Sequence, residues 1–542
     1  MKLPELSASA APQFVDAAAC KGWLERLPLA NAGAAQHDLL AELEEFNSFP
    51  TAAANRLGVM EALREAVNFV QIEQAKRFMN RPLPMAEADG AVFDATIALW
   101  EQMRLGYLRC LQAALAGDAA MRAQAALVCQ RQAAYVGLKM FHHHRAYREV
   151  PPADWRSLHE AYAHAERLGV AEEAVKDYLN RDIHDTSPRI AYARAVLMGM
   201  SLPQELVQRQ LTFVAFLLER WASKLEVAAN PVIEEKGLLP LAADLAGERC
   251  PERADPRTVK IVDPRFLDTR KLAKSLRNRV GLLRNGESPA KLALGEDCVQ
   301  PSCEQLLVYL FRQWCQMKPA NAPESRGAAQ PVQACTDVAA IHHYVSGGAV
   351  RRPAIDHTKL TPQQRQELET LGRVRTTPDE DYSSEHGFLL EDWLIEERTP
   401  QELRMRRAPA AAGKRYTHGQ LMAVRPAQGK SFFLGQVRWL ASTAGGELRA
   451  GIKLIPGAPA PIALRPTGLN EKTERSLYGL ALGAVPAAAV PPSLVLPTGS
   501  FKPARVFGVQ GAGLQNDRPG SLRLTALLER GTDFERVTYE PA

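Results

Sequence analysis

Apolar side chains recur every three or four residues through most of the first 225 positions, the period of helices that bury one face. Leu57, Met60, Leu63, Val67 and Val70 set one such stripe within 52–78, and Phe93, Ile97, Trp100, Leu105 and Leu108 set another within 89–116. Ala, Leu, Glu, Gln and Arg, all strong helix formers, dominate this region. Pro151-Pro152 breaks the pattern, and Asp154 is expected to cap a helix carrying Trp155, Leu158, Tyr162 and Ala165. Ser201-Leu202-Pro203 is expected to open another, with Leu206, Leu211, Val214, Leu217, Leu218 and Trp221 on its apolar face. Residues 1–225 are therefore predicted to form an antiparallel helical bundle or array. No fixed-period repeat with consensus residues is evident.

Residues 226–318 change character and predict a mixed α/β segment. Thr258–Val262 reads as a short strand, 268–284 as a basic amphipathic helix with Leu272, Leu276, Val280 and Leu283 on its buried stripe, and 301–317 as a second helix. The Ala/Pro/Gly/Ser/Gln-rich stretch that follows predicts a linker over 319–334. Beyond it, Val338, Ala340, His342 and Tyr344 alternate like a strand, and Thr361 ahead of Pro362 predicts a helix to Leu371.

From about residue 389 the period becomes two. Trp393, Ile395, then Leu403, Met405, then Leu421, Ala423, then Phe433, Gly435, Val437, Trp439 each alternate with mostly polar neighbours. Gly445-Gly446 marks a hairpin into Leu448, Ala450, Ile452 and Leu454. This spacing predicts an antiparallel barrel domain over 335–542, with Trp439 facing its core and its final strands at 505–509, 521–529 and 534–539. The Pro- and Ala-rich segment 483–497 is expected to be an edge or crossover loop.

The order of these strands resembles the PilZ family, small bacterial β-barrels that bind cyclic di-GMP. A tryptophan-led strand is followed by Glu397-Arg398-Thr399-Pro400-Gln401-Glu402, standing where the family has Asp-x-Ser-x-x-Gly. A Gly-x-Leu strand at Gly419 and a Val-Arg-Trp strand at Val437 follow in the family's order. The region before the barrel, with its Leu-Asp, basic helix, Cys-x-x-x-x-Cys and Arg-Gln-Trp-Cys sequence, is similar to that of long bacterial PilZ proteins, which extends the likeness over most of the chain. The ligand motif has drifted: Asp is Glu397, Ser is Thr399 and Gly is Glu402. The family's Arg-x-x-x-Arg pair is missing, since Arg351, Arg352, Arg365, Arg373 and Arg375 include no two residues four apart.

The resemblance implies a multidomain α + β protein with a PilZ-like C-terminal barrel, and cyclic di-GMP as its ligand. Arginine suits both halves of that ligand: its fork hydrogen-bonds phosphate or guanine O6/N7, and its plane stacks on a base. Arg351, Arg352, Arg373, Arg375 and Arg398 are the leading contacts, with Glu397, Thr399 and Glu402 in the turn; Arg404 and Arg438 lie nearby. Glu402 opposes the reading, because it adds bulk and negative charge where an anion would approach.

Composition narrows the alternatives. At 46% hydrophobic residues the chain can build real cores. A net charge of +5, from 66 basic and 61 acidic residues, is too balanced to point to nucleic acid. No apolar run is long enough to span a bilayer and no signal peptide is readable, so a cytoplasmic protein is expected. Cys298, Cys303, Cys315 and Cys335 precede His342 and His343 without zinc-knuckle spacing, and thiols are expected rather than a metal site. His142-His143-His144 on a helix would point in three directions, which suits no single metal. Walker, nucleophile-elbow and dinucleotide motifs are missing, so no enzyme and no cofactor is expected. Three readings stay open: a receptor relaying cyclic di-GMP to a protein partner, a helical scaffold whose barrel no longer binds nucleotide, and an enzyme with an unrecognised site in the helical half.

Overall fold

A computed structural model describes residues 3–231, 239–253, 261–295, 297–316, 329–347, 387–409, 413–467, 476–510 and 520–542. The chain divides into two compact units, Met1–Arg81 with Met85–Ala322, and Pro82–Pro84 with Pro323–Ala542.

The first unit is built from helices α1 (Ala17–Leu24), α2 (Ala32–Ser48), α3 (Ala53–Phe78), α4 (Glu87–Ala116), α5 (Ala119–Ala123), α6 (Ala125–Arg145), α7 (Pro152–Arg167), α8 (Pro188–Met200) and α9 (Gln208–Trp221). The apolar stripes read from the sequence face inward: Leu63, Val67, Leu99, Trp100 and Met103 share one core with Val128 and Tyr135 of α6. A short hairpin, β1 (Val175–Lys176) with β2 (Asp185–Thr186), precedes α8. An antiparallel sheet in the order β3 (Glu226–Ala228), β6 (Pro264–Asp268), β4 (Leu241–Asp244), β5 (Glu252–Arg253) then leads into α10 (Arg270–Arg284) and α11 (Ser302–Cys315).

Several local expectations change. Helix α7 starts at Pro152, so Asp154 lies within its first turn, where the carboxylate accepts from Lys139 Nζ at 2.7 Å instead of capping. Pro203 opens only a 3-10 turn, and α9 begins at Gln208. Residues 258–260 lie outside the described residues, Ile261 and Val262 are not in a strand, and the strand of this segment is β6. Cys298 and Cys303 are disulfide-bonded rather than thiols, because the turn into α11 brings their Cα atoms to 5.0 Å.

The second unit contains two closed antiparallel six-stranded barrels where one was expected. The first comprises β7 (Gln330–Thr336), β8 (Glu391–Arg398), β9 (Glu402–Arg407), β10 (Leu421–Pro426), β11 (Phe433–Ser442) and β12 (Leu448–Ile455), closed in the order β10-β11-β12-β9-β8-β7. The second comprises β13 (Pro459–Pro466), β14 (Leu477–Leu482), β15 (Ser493–Pro497), β16 (Val506–Gln510), β17 (Ser521–Arg530) and β18 (Phe534–Pro541), closed in the order β13-β14-β15-β18-β17-β16. The alternating pattern runs unbroken from one to the other, yet Ile462, Leu464, Leu494, Leu496, Phe507, Leu524 and Val537 form a core of their own. Ser493–Pro497 is thus a strand and not a loop. The expected helix at 361–371 lies outside the described residues.

The alternation at Val338–Tyr344 proves helical: α12 (Val338–Val345) is capped by Asp337, whose Oδ1 accepts from Ala339 N at 2.8 Å. Helix α12 buries Val338, Ile341 and His342 on one face, so seven residues of alternation did not separate the two periods. Helix α12 packs between the barrels, with Val338 and Ile341 against Leu421 and Leu434 of the first and Leu480 and Phe534 of the second. Both His342 and His343 are buried, rather than facing opposite sides of a strand.

A β-bulge between Val437 and Trp439 corrects the assignment of Trp439. Before the bulge, Gly435 and Val437 point inward, opposite Leu454 and Ile452; after it, Leu440 and Ser442 point inward, opposite Ala450 and Leu448. Trp439 therefore lies outside the barrel, half-buried across Gly451. A Cβ at Gly451 would collide with the indole. Gly451→Ala should cost about 1–3 kcal/mol, the usual range for overpacking, and much less in a Trp439→Ala background. Chemical denaturation of the four proteins checks this, and equal costs in both backgrounds would contradict the packing.

Candidate functional site

The first barrel has two unlike ends. At one, where β8 begins and β9 ends, a polar cluster fills the interior. Glu391 Oε1 accepts from Arg407 Nη1 at 2.6 Å and from Lys414 N at 3.2 Å, and Tyr416 Oη donates to Glu391 Oε2. The Arg407 guanidinium lies 5.8 Å from the Trp393 ring and 5.3 Å from the Tyr416 ring. Burial, reinforced by the Glu391 carboxylate, pushes the Tyr416 phenol well up, so it stays a neutral donor. This plug escaped sequence reasoning because its members are scattered over three segments.

The degenerate turn stands at the other end, between β8 and β9. It is closed by its own atoms: Thr399 N donates to Glu402 O at 2.9 Å, and Glu402 N donates to Thr399 Oγ1 at 2.9 Å. Threonine in place of serine thus keeps the side-chain-to-backbone bond that a turn of this kind needs. Glu402 is exposed and pairs in register with Lys453 of β12. Arg404 engages Glu397 at 3.0 Å, while Arg406 engages Glu396 at 3.1 Å and Glu447 at 3.0 Å. The outer face is therefore a ladder of matched charges.

Arg398 differs from these arginines. Among the described residues it makes no ion pair, and its guanidinium lies 5.4 Å from the ring of Phe433, which is 40% exposed. Together they form a cationic and aromatic rim above Val332, Ile395, Leu403 and Val424. The recess beneath holds only about 10 Å³, no more than a water. A planar base can lie on this rim but cannot enter the barrel. Arg438 is exposed on the same barrel. Arg351, Arg352, Arg373 and Arg375 lie outside the described residues.

The remaining candidates have structural partners. On α10, Arg270 binds Asp268 at 2.7 Å, Arg284 binds Glu304 at 2.7 Å, Lys271 pairs with Glu226, and Arg277 and Arg279 lie over Phe311 and Trp221. His142-His143-His144 closes the last turn of α6, and Trp100 Nε1 donates to His142 Nδ1 at 3.1 Å. Among the described residues no three His, Cys, Asp or Glu side chains are grouped to hold a metal ion, and no helix is long and apolar enough to cross a membrane.

Helices followed by antiparallel six-stranded barrels, one of them bearing the drifted turn, define a PilZ-like multidomain protein. The family model described as "Cyclic-di-GMP receptor FimW, N-terminal domain" matches residues 18–231, the helical part of the first unit. The model "FimW C-terminal beta-barrel domain" matches 462–542, the second barrel. A curated relative, the cyclic-di-GMP receptor FimW of Pseudomonas aeruginosa, is 23% identical over 96% of this chain and 90% of its own length. No solved structure matches. The two domain models named for FimW thus match this chain in order, one at each end.

Proposed function

We propose that this protein is a cyclic di-GMP receptor which relays occupancy of its first barrel to a protein partner. The observation that carries the reading is the similarity along nearly the whole chain to a protein named as a cyclic-di-GMP receptor. The rim at Arg398 and Phe433 supports it chemically: the guanidinium offers a fork to phosphate or guanine O6/N7, and the exposed ring offers a stacking face. Thr399 holds the turn that presents Arg398. Arg351, Arg352, Arg373 and Arg375 join the proposal on sequence grounds, as further forks for the two phosphates. Binding shifts the protein between states only by its differential affinity for them.

Calorimetric titration of variants tests the site. Arg398→Ala should weaken binding by about 1.5–3 kcal/mol, or roughly one to two decades in Kd. Glu402→Gly should strengthen binding by removing an opposing charge beside the rim. If neither variant changes the Kd, the ligand binds elsewhere. If the wild-type chain itself binds nothing, the scaffold reading replaces the receptor.

A further inference from the structure

We propose that the helical unit carries a second small-molecule site, for an amphipathic ligand with an apolar body and one anionic group. A cavity of about 260 Å³ lies among α3, α6, α8, α9 and the β1–β2 hairpin. That is just under the usual size of small-ligand sites, about 300–1,000 Å³. Its lining is rich in small residues: Ala134 and Gly137 on α6, Ala191 and Ala195 on α8, and Ala215 on α9. Leu138, Met198 and Leu218 complete an apolar wall, and Ile72, 46% exposed, edges the opening.

The charges around this wall define the ligand's polar end. Arg64 is bound to Asp177 at 2.6 Å, Arg194 to Glu219 at 3.3 Å, and Asp185 to Lys176 at 2.6 Å. Five of the six charged lining residues are thereby neutralised within the protein. The sixth is Arg181, on the hairpin loop, which makes no ion pair among the described residues and is held only against the Phe216 ring at 5.6 Å. Its main chain is fixed, since Arg181 N donates to Glu219 Oε2 at 3.0 Å. An unpaired guanidinium at the entrance to an apolar recess selects a carboxylate, sulfonate or phosphate monoester attached to a hydrocarbon or aromatic body. Cyclic di-GMP, with two bases, two sugars and two phosphates, is too large and too polar for the recess.

The dye 8-anilinonaphthalene-1-sulfonate has this chemistry and reports binding by fluorescence. Saturable, single-site enhancement is expected on the full-length native protein, verified by a cooperative melt. Arg181→Ala should weaken the dye roughly tenfold or more, while leaving the uncharged congener N-phenyl-1-naphthylamine unaffected. Ala134→Phe, at a half-buried lining position on α6, should abolish both. If that variant does not fold, Ile72→Asp at the half-exposed edge serves the same purpose. Excess cyclic di-GMP should not displace the dye, which separates this site from the barrel whether or not the barrel binds the messenger. Non-saturating fluorescence, binding indifferent to the recess and Arg181 variants, or displacement by cyclic di-GMP would each overturn the proposal.

Discussion

Acidification from pH 6.5 to 4.5 should strip roughly 4–5 kcal/mol of stability from the helical unit, through His142 and His143 alone. Both imidazoles are buried at the end of α6, and burial lowers each from 6.5 to about 3. For His142 a second cause is geometric. Its Nε2 is buried with no hydrogen-bond partner among the described residues, so a charged ring would strand a buried N–H. Well above pH 6.5 neither the folded nor the unfolded histidines bind protons, and the full stability is present. Below it the unfolded chain takes up protons that the native state refuses, so stability falls as pH falls and levels off near pH 3. Each histidine contributes a slope of about 1.4 kcal/mol per pH unit. Asp154 faces His143 at 3.7 Å, and burial raises its carboxyl, which offsets part of the loss at the acid end. Urea midpoints between pH 7 and 4.5 check the slope. A His142→Gln/His143→Gln protein should show a flatter profile, keeping the slope that His144 and His159, also lowered by burial, contribute; parallel profiles would contradict the assignment.

Asp177→Ala should destabilise the same unit by about 3–5 kcal/mol, the cost of breaking a buried ion pair from one side. Asp177 Oδ1 accepts from Arg64 Nη2 at 2.6 Å, and Arg131 Nη1 lies 3.4 Å from Oδ2. Burial alone would raise the Asp177 carboxyl, but the two guanidiniums overcome it and hold the pKa below the usual aspartate value. Arg131 also reaches Glu61 at 2.9 Å, and Tyr107 Oη donates to Glu61 at 2.6 Å. Removing Asp177 leaves Arg64 without its closest acid in a nearly dry site and frees the β1–β2 hairpin from α3. Arg64→Met combined with Asp177→Leu should recover much of the loss, because no buried charge is then stranded. Denaturant unfolding of the single and double variants decides it. A loss below about 1 kcal/mol for Asp177→Ala, the range of exposed pairs, would mean that the network is solvated.

The helical half was legible because its long stripes, such as Leu57 to Val70 on α3, run through several turns and admit only one period. Short or corrected elements were not. Val338–Val345 fits both periods, and the capping Asp337 settles it as a helix. The bulge after Val437 reverses the faces of β11, which alternation alone cannot reveal, so Trp439 was placed inside instead of across Gly451. The second barrel was read as a continuation of the first because both share a period of two, and closure depends on pairings such as Leu494 with Val537. Of the candidate site, the turn and Arg398 were found from the order of strands. The aromatic partner Phe433 was assigned to the core, while the structure places it at the rim. The Arg64–Asp177 pair joins residues 113 positions apart and leaves no local signal at all.

The central claim is that this chain binds cyclic di-GMP, and titration calorimetry of the full-length wild-type protein with that ligand tests it most directly. A saturable isotherm is expected, which Arg398→Ala weakens by roughly one to two decades, corresponding to about 1.5–3 kcal/mol. An absence of binding up to high micromolar ligand would contradict it and leave a helical scaffold carrying barrels that no longer recognise the messenger.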